Sequence, residues 1–311
     1  MSTMPDPASA RLTEAVLDSF ARTASPRLRQ VLRSLVTHLH AFAQDVRLTE
    51  EEWFAGIEFL TRTGQISDER RQEFVLASDV LGLSMLVIGL NHGHFAEPGS
   101  TEHAADRRRG PGDPPAATES TVLGPFFAEG SPRFDNGDDI ANGAPGQPCL
   151  MQGSVRSVTG AALAGARLEV WQADDDGFYD VQYGAEAETR ARGHLHADGD
   201  GRWWFWSVRP EAYPIPDDGP VGTLLRATGR SPMRPAHVHF MITADGHRRL
   251  ITHVFDGADP HLDSDAVFGV RPGLVTTFAR HEPGTAPDGT RMDVPYHTMR
   301  YDFVMEPDRR G

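Results

Sequence analysis

The chain reads as a mixed α and β protein, an N-terminal helical region followed by a β-sandwich, and three observations carry that reading. Apolar residues recur at helical spacing to about residue 90. Between Glu97 and Ser120 the composition turns to EPGSTEHAADRRRGPGDPPAATES, dense in Pro, Gly and small polar residues that sustain neither period. Beyond it the apolar period becomes two, with turn residues at short intervals. With 311 residues, 39% of them hydrophobic, the chain can bury a substantial core without staples. We therefore expect two domains, 1–118 helical and 119–311 β-rich.

Ser25 is positioned to cap a helix with Pro26 at its first position, and Leu28, Val31, Leu32, Leu35, Val36 and Leu39 form its stripe. Thr49-Glu50-Glu51-Glu52 reads as a capping box opening a helix that buries Trp53, Ile57 and Leu60 and stops near Gly64. One further helix is expected from about Ser67, through Phe74, Leu76, Val80 and Leu83, to about Leu90. Its apolar end, LGLSMLVIGL, is too short to span a bilayer and reads as a buried segment.

Past the boundary, Leu168, Val170 and Gln172 alternate with Glu169 and Trp171. Trp203 to Trp206 follow the turn Asp198-Gly199-Asp200-Gly201, and 237–243 and 250–255 flank Ala244-Asp245-Gly246-His247. Short alternating strands with frequent turns are the signature of a sandwich.

The formal charge of −14 argues against an electrostatic hold on nucleic acid or anionic membrane. Arg107 to Arg109 read as solvated surface. A single cysteine, Cys149, rules out an internal disulfide or thiol-metal cluster and reads as packing, and the N-terminus carries no secretory pattern. A cytoplasmic protein is expected. The Asp-rich stretches at 198–201 and 135–139 lack EF-hand spacing and read as turn chemistry.

The strongest local signal is Arg234-Pro235-Ala236-His237-Val238-His239-Phe240. Residues i and i+2 of a strand share a face, so His237 and His239 present two imidazoles together while Val238 and Phe240 point the other way. Alone, the pair serves a wet strand face as well as half a metal site. His194 and His196, flanked by Arg192 and Arg202, look like a solvated hairpin rim. His38 and His40 fall in a helical segment, where i and i+2 diverge by about 200° and cannot share an ion. Tyr179, just after the WQAD strand end, and Tyr213, in RPEAYPIP, are two of five tyrosines, each by itself an ordinary buried ring.

Taken together, a tyrosine after WQAD, a second in YPIPDDGP and then RPAHVHF resemble the intradiol ring-cleavage dioxygenases. EEWFAGIEFLTRTGQISDERRQEFVLASDVLGLSML is similar to that family's helical dimerisation region, and TVLGPFF to the start of its catalytic sandwich. The resemblance implies iron(III) held by Tyr179, Tyr213, His237 and His239, and a homodimer formed through the N-terminal helices, with a lipid between the subunits as a further implication. Two phenolates are hard, strongly donating ligands that favour iron(III) in a mixed N,O site. By position Tyr213 is the ligand that departs when substrate chelates, with His239 opposite it and Tyr179 and His237 in the other plane. The resemblance also places Arg234 against the substrate ring, although a regular strand would put it on the face opposite His237; Pro235 breaks the ladder.

His253 stands where catechol-cleaving relatives carry glutamine, and ITHVFDGADPHLDSDAVFGV is similar to the hydroxyquinol-cleaving branch. A three-residue loop, Asp245 to His247, would pair His253 with His239; a two-residue loop would pair it with Val238 and turn it away. The resemblance lines the pocket with Val122, Leu123, Gly124, Pro125, Phe126, Ile215, Pro216 and Val267, and makes hydroxyquinol and dioxygen the substrates. One departure points elsewhere: Ile88 follows LSMLV where relatives commonly carry aspartate, which would suit a catechol or chlorocatechol. A metal-free sandwich binding module and a zinc hydrolase built on His237 and His239 stand as rival classes.

Overall fold

In a computed structural model, residues 7–68, 71–92, 115–183 and 188–308 are described. Arg107 to Arg109 and most of the 97–120 boundary segment lie outside them. The chain divides into two compact units, Met1–Gln65 and Ile66–Gly311.

The first unit is helical: α1 (Pro7–Ser19), α2 (Pro26–Asp45) and most of α3 (Glu50–Ile66). Ser25 caps α2 as its sequence indicates, its hydroxyl accepting from Leu28 N at 3.2 Å. The α3 capping box is closed in both directions, Thr49 N donating to Glu52 Oε2 at 2.9 Å and Glu52 N to Thr49 Oγ1 at 3.2 Å. Two expectations fail here. Gly64 does not stop α3, which runs on to Ile66, and Trp53, Ile57 and Leu60 are not buried but 52%, 43% and 52% exposed. An amphipathic stripe needs an apolar partner, and within one chain this one has too little.

The second unit opens with α4 (Glu73–Val80) and α5 (Leu83–His92), bent by 76° at Leu81-Gly82, where Gly82 takes a left-handed φ of 73°. The single helix expected from Ser67 to Leu90 is thus two. The chain leaves α4 through a conformation in which a side chain is strained, so the helical period continues across a break that it does not report. Leu81, Leu83, Leu86, Val87 and Leu90 are exposed, against the expected burial. Among the described residues no single helix is long and apolar enough to cross a membrane.

The rest is the sandwich. Its first sheet has the order β10-β13-β1-β4, formed by Phe278–His281, Tyr296–Met305, Pro148–Ser157 and Arg202–Val208. The second has the order β3-β2-β7-β8-β9, formed by Arg192–His196, Arg167–Gln172, His237–Thr243, Leu250–Asp256 and Val275–Thr276. Two short ribbons complete it, β5 (Tyr213–Pro214) with β6 (Met233–Arg234) and β11 (Gly284–Thr285) with β12 (Arg291–Met292). The facing sides supply the core, with Met151, Trp203, Phe205 and Phe303 meeting Leu168, Val170, Leu195, Val238 and Phe240. Each such side chain contributes about 1.5–3 kcal/mol by burial. Cys149 sits in this core, fully buried, where burial pushes its thiol far above the ordinary range and leaves it inert. Helix α6 (Pro220–Ala227), which the Pro- and Gly-rich sequence does not announce, packs near α4, and the buried Glu73 accepts from Val221 N at 3.0 Å.

Candidate metal centre

With the inner face of the second sheet committed to the core, its outer face carries the chemistry. Cross-strand pairing aligns Arg192 on β3 with Trp171 on β2, Trp171 with His239 on β7, and His239 with His253 on β8. This is the register in which His253 faces the same side as His239. His237 lies two residues along on that face, and Val238 and Phe240 point into the core as alternation requires. His237, His239 and His253 are at most 1% exposed, so the wet-face alternative for the His pair does not apply.

Trp171 stacks on His239 with centroids 4.7 Å apart at 16°, which sets the plane of that imidazole. The left-handed Gly124, φ 76°, brings its backbone close to the same ring; a Cβ there would lie 3.1 Å from His239 Cε1. His237 Nδ1 donates to the Pro235 carbonyl at 2.6 Å, since that oxygen can only accept, so its Nε2 carries the lone pair.

The two tyrosines arrive from outside the sheet. Asp174 accepts from the amides of Asp176 and Phe178, each at 3.1 Å, to shape the turn after β2, and Tyr179 N donates to Gln182 Oε1 at 2.8 Å. Phe126 stacks on the Tyr179 ring at 4.5 Å. Tyr213 comes from the β5–β6 ribbon, which places it opposite Arg234.

Four donor atoms converge. Tyr179 Oη lies 3.2 Å from Tyr213 Oη, 3.4 Å from His237 Nε2 and 3.0 Å from His239 Nε2, and the two Nε2 atoms are 3.2 Å apart. Two imidazole nitrogens this close in a dry interior need a cation or a proton between them. Adjacent ligands of an ion bound at about 2 Å sit about 3 Å apart, the spacing found here. His239 Nδ1 and both ring nitrogens of His253 are buried without a hydrogen-bond partner, which marks a site prepared for a further group. Burial, reinforced by Arg234, pushes His237 down to about 3; His239 and His253 are held well below the usual imidazole range, by burial first and then by their charged neighbours. Neutral imidazoles are the form a Lewis acid requires. Burial, then the neighbouring Tyr213, keeps the Tyr179 phenol protonated well above its ordinary range, so phenolate formation there requires a bound cation. The residues therefore fit a mixed N,O metal centre.

Arg234 is 2% exposed and faces the site, its Nη1 3.2 Å from His237 Nε2. The opposite-face placement of a regular strand is excluded because β6 ends at Arg234 and β7 starts at His237. Pro235-Ala236 bridges them, Ala236 N donating to Asp259 Oδ2 at 2.9 Å. Of the pocket residues, Val122, Phe126, Ile215 and Val267 are buried, and Gly124, Pro125 and Pro216 are half-buried. Leu123 lines an open cavity of about 610 Å³ with Phe127, Met241, Arg249 and Ile251 on the outer side of the same sheet.

Four residues of the site escape sequence reading. In the sequence Trp171 shows only as one residue of an alternating strand, and Asp265 as one acid in a loop. Arg192, read as a solvated rim, is instead 4% exposed; it grips Asp180 through Nε at 2.9 Å and Nη2 at 2.7 Å, and donates to the Phe126 carbonyl at 2.8 Å. Asp79, at the end of α4, is 2% exposed with Oδ1 unpartnered; burial raises its carboxyl above the ordinary range against a hydrogen bond from Ser84 and the charge of Arg234. Ile88 is half-buried on α5. In the other His pairs, His194 is partnered with the Ser131 carbonyl at 2.9 Å, His38 with the Ser34 carbonyl at 2.7 Å and His40 with Thr13 at 2.8 Å.

The chain is similar to known proteins over most of its length. The family model described as "Dioxygenase" matches residues 122–307 and "Catechol dioxygenase N terminus" matches 25–98. A hydroxyquinol 1,2-dioxygenase of Nocardioides simplex is 52% identical over 95% of this chain and 94% of its own. A 6-chlorohydroxyquinol 1,2-dioxygenase of Cupriavidus pinatubonensis is 49% identical over 95% and 96%. Among solved structures, a hydroxyquinol 1,2-dioxygenase from Pseudomonas putida DLL-E4 superposes with a TM-score of 0.83 at 43% identity, covering 97% of this chain and 99% of the other.

Proposed function

We propose, for a chain that belongs to the intradiol ring-cleavage dioxygenases, that it opens hydroxyquinol between its adjacent hydroxyls, both atoms of dioxygen entering 3-hydroxy-cis,cis-muconate, which tautomerises to maleylacetate. The family is non-haem iron dependent, and here iron(III) would be held by Tyr179, Tyr213, His237 and His239. The observation that carries this reading is the convergence on the Tyr179 oxygen of the Tyr213 oxygen and two imidazole nitrogens at 3.0–3.4 Å, the two nitrogens 3.2 Å apart. Phenol oxygens in the donor set argue for a hard trivalent ion over a His-only zinc site. Iron(III) held there would supply the Lewis acidity that a substrate chelating through its two adjacent oxygens needs for electron density to leave the ring and open it to dioxygen.

The residues divide the remaining work. Tyr179 is locked by Phe126 and by its backbone bond to Gln182, whereas Tyr213 hangs on a two-residue ribbon. This difference supports Tyr213 as the ligand that swings away, its phenolate oxygen accepting a proton from the incoming substrate hydroxyl. Arg234 supplies positive charge beside the ring as carbanion character develops. His253, neutral and with both nitrogens unpartnered, is free to hydrogen-bond the bound substrate.

Asp79 supports hydroxyquinol over catechol or a chlorocatechol. It offers a buried, unpartnered carboxylate oxygen near Arg234, suited to the third hydroxyl, in place of the acid missing at Ile88. A charged hydrogen bond is worth about 1.5–3 kcal/mol, so Asp79→Ala should narrow the preference for hydroxyquinol over catechol by roughly 10- to 100-fold in kcat/KM. Oxygen uptake with hydroxyquinol, catechol and chlorocatechols tests both points. Catechol cleaved faster than hydroxyquinol by the unsubstituted enzyme would overturn the assignment.

The helical region 1–118 is the dimerisation and linker part and 119–311 the catalytic part. The family models, ending at 98 and beginning at 122, support that division, although compactness alone divides the chain at Gln65. Leu28, Leu35, Leu39, Trp53 and Leu60 stand exposed and call for a partner surface, which a second subunit, with or without a lipid, would cover. Light scattering should give twice the chain mass of 34.1 kDa, and a monomer at micromolar concentration would remove the dimer from the proposal. A cytoplasmic location completes the reading.

A further inference from the structure

One buried acid behind the site has no part in the reaction outlined above. Asp265 has a side chain 2% exposed and sits in the loop after β8, where it receives Arg234 Nε at 3.1 Å and Arg234 Nη2 at 3.4 Å. The same carboxylate takes the amides of Val267 at 3.3 Å and Gly269 at 2.8 Å. With both oxygens occupied in this way, the loop closes around the acid and the acid closes on the arginine. Burial opposes the charge on Asp265, but Arg234 outweighs it and holds the carboxyl below the ordinary range.

The loop is fixed at its other points too. Ala266 N donates to the Met233 carbonyl at 3.1 Å, tying it to the strand that carries Arg234. Arg230 lies over the Phe268 ring at 4.8 Å and donates to the carbonyls of Val80 at 2.6 Å and Ala266 at 3.0 Å. Phe268 is held at a left-handed φ of 57°, a conformation that a bulky aromatic adopts only when its surroundings impose it. On its outer side the loop borders an open cavity of about 380 Å³. At Gly269 a Cβ would lie 3.1 Å from Arg234 Nη2 and 3.6 Å from His253 Nδ1, so the loop touches both residues that face the substrate.

We infer that Asp265 is a positioning residue for ring cleavage: it fixes the Arg234 guanidinium so that Nη1 points at the metal centre and the substrate ring. The inference rests on the ring-cleavage reading and adds to it a residue outside the ligand set. A guanidinium with two of its nitrogens held by one carboxylate has one direction left for the third. Without Asp265, Arg234 would keep its charge but lose its aim, and the loss would fall on the step in which charge builds on the ring.

The test is a double-substitution cycle on the iron-loaded enzyme, with Asp265→Asn, Arg234→Met and both together. Asp265→Asn should lower kcat for hydroxyquinol by about 10- to 100-fold, the usual cost of removing a group that orients an active-site side chain, with KM moved less than about threefold. In the Arg234→Met background it should change kcat by less than about twofold. The visible tyrosinate band and spectral titration with 4-nitrocatechol should match the parent, since no ligand is touched. Asp265→Glu, which keeps the charge on a longer stem, should recover part of the loss, and melting of the metal-free proteins checks the fold. A further tenfold fall in the Arg234→Met background, an unchanged kcat in Asp265→Asn, or glutamate no better than asparagine would each overturn the positioning role. An unsubstituted enzyme without the visible band or without hydroxyquinol-dependent oxygen uptake would instead overturn the ring-cleavage reading.

Discussion

Replacing Tyr179 with phenylalanine is expected to lower hydroxyquinol turnover by on the order of 10³-fold and to remove much of the visible absorption, while leaving the fold intact. Its oxygen is the hub of the donor set, within 3.0–3.4 Å of Tyr213, His237 and His239, so its loss opens the centre from the middle. A Lewis-acid metal supplies several kcal/mol of transition-state stabilisation, and about 4 kcal/mol corresponds to roughly a thousandfold in rate. The phenyl ring would still stack on Phe126, so melting of the metal-free protein should fall by little more than the roughly 1 kcal/mol of a lost hydrogen bond. Tyr213→Phe should be milder in rate and should shift the band without abolishing it, because that ligand is the one expected to leave during the reaction. His194→Gln, whose ring is engaged with Ser131, should match the parent in both colour and turnover. Iron content, absorption and oxygen uptake measured on one preparation decide the matter; a Tyr179→Phe protein with full iron and the parental spectrum would remove Tyr179 from the proposed ligand set.

What could be read from the chain alone follows from how local each feature is. Alternation on β7 is imposed by the pleat, so the shared face of His237 and His239 and the inward turn of Val238 and Phe240 were legible, and so were the caps at Ser25 and Thr49. The pairing of His253 stayed open between two loop lengths in the sequence, and the register of β7 with β8 sets it opposite His239. Pairings that close over long separations left no such trace. Strand β1 lies parallel to β13, with Cys149 beside His297, and nothing in either strand names the other. Arg192 looked solvated because its sequence neighbours are polar, yet pairing across the sheet buries it beside Trp171. Arg234 and Asp265 are each ordinary charged residues until the loop after β8 folds back. The helix stripes posed a different problem: spacing shows that Trp53, Ile57 and Leu60 share a face, but not whether the covering surface belongs to the same chain.

Arg192 is also where the largest stability effect is expected. Arg192→Met leaves Asp180 buried and uncompensated, with side-chain exposures of only 5% and 7% across the pair, and such a loss typically costs about 3–5 kcal/mol. At about 2–4 °C per kcal/mol for a unit of this size, the metal-free protein should melt roughly 6–20 °C lower. The damage should not stay local. Asp180 follows Tyr179 directly and caps the turn through Val181 N at 2.9 Å, and the same guanidinium holds the Phe126 carbonyl whose ring lies on Tyr179. Both supports of the hub ligand therefore loosen at once, and iron affinity should fall by about 10- to 100-fold even though no ligand is replaced. Replacing both partners, Asp180→Leu with Arg192→Met, should restore much of the melting temperature, because a well-packed apolar pair need not cost more than a buried ion pair. Iron affinity should not return with it, since neither apolar side chain can hold the Phe126 carbonyl or the Val181 amide. Stability and metal binding would then separate in one pair of proteins. A melting shift below about 2 °C in Arg192→Met, or iron affinity regained together with stability in the double variant, would show that the ion pair does not hold Tyr179 in place.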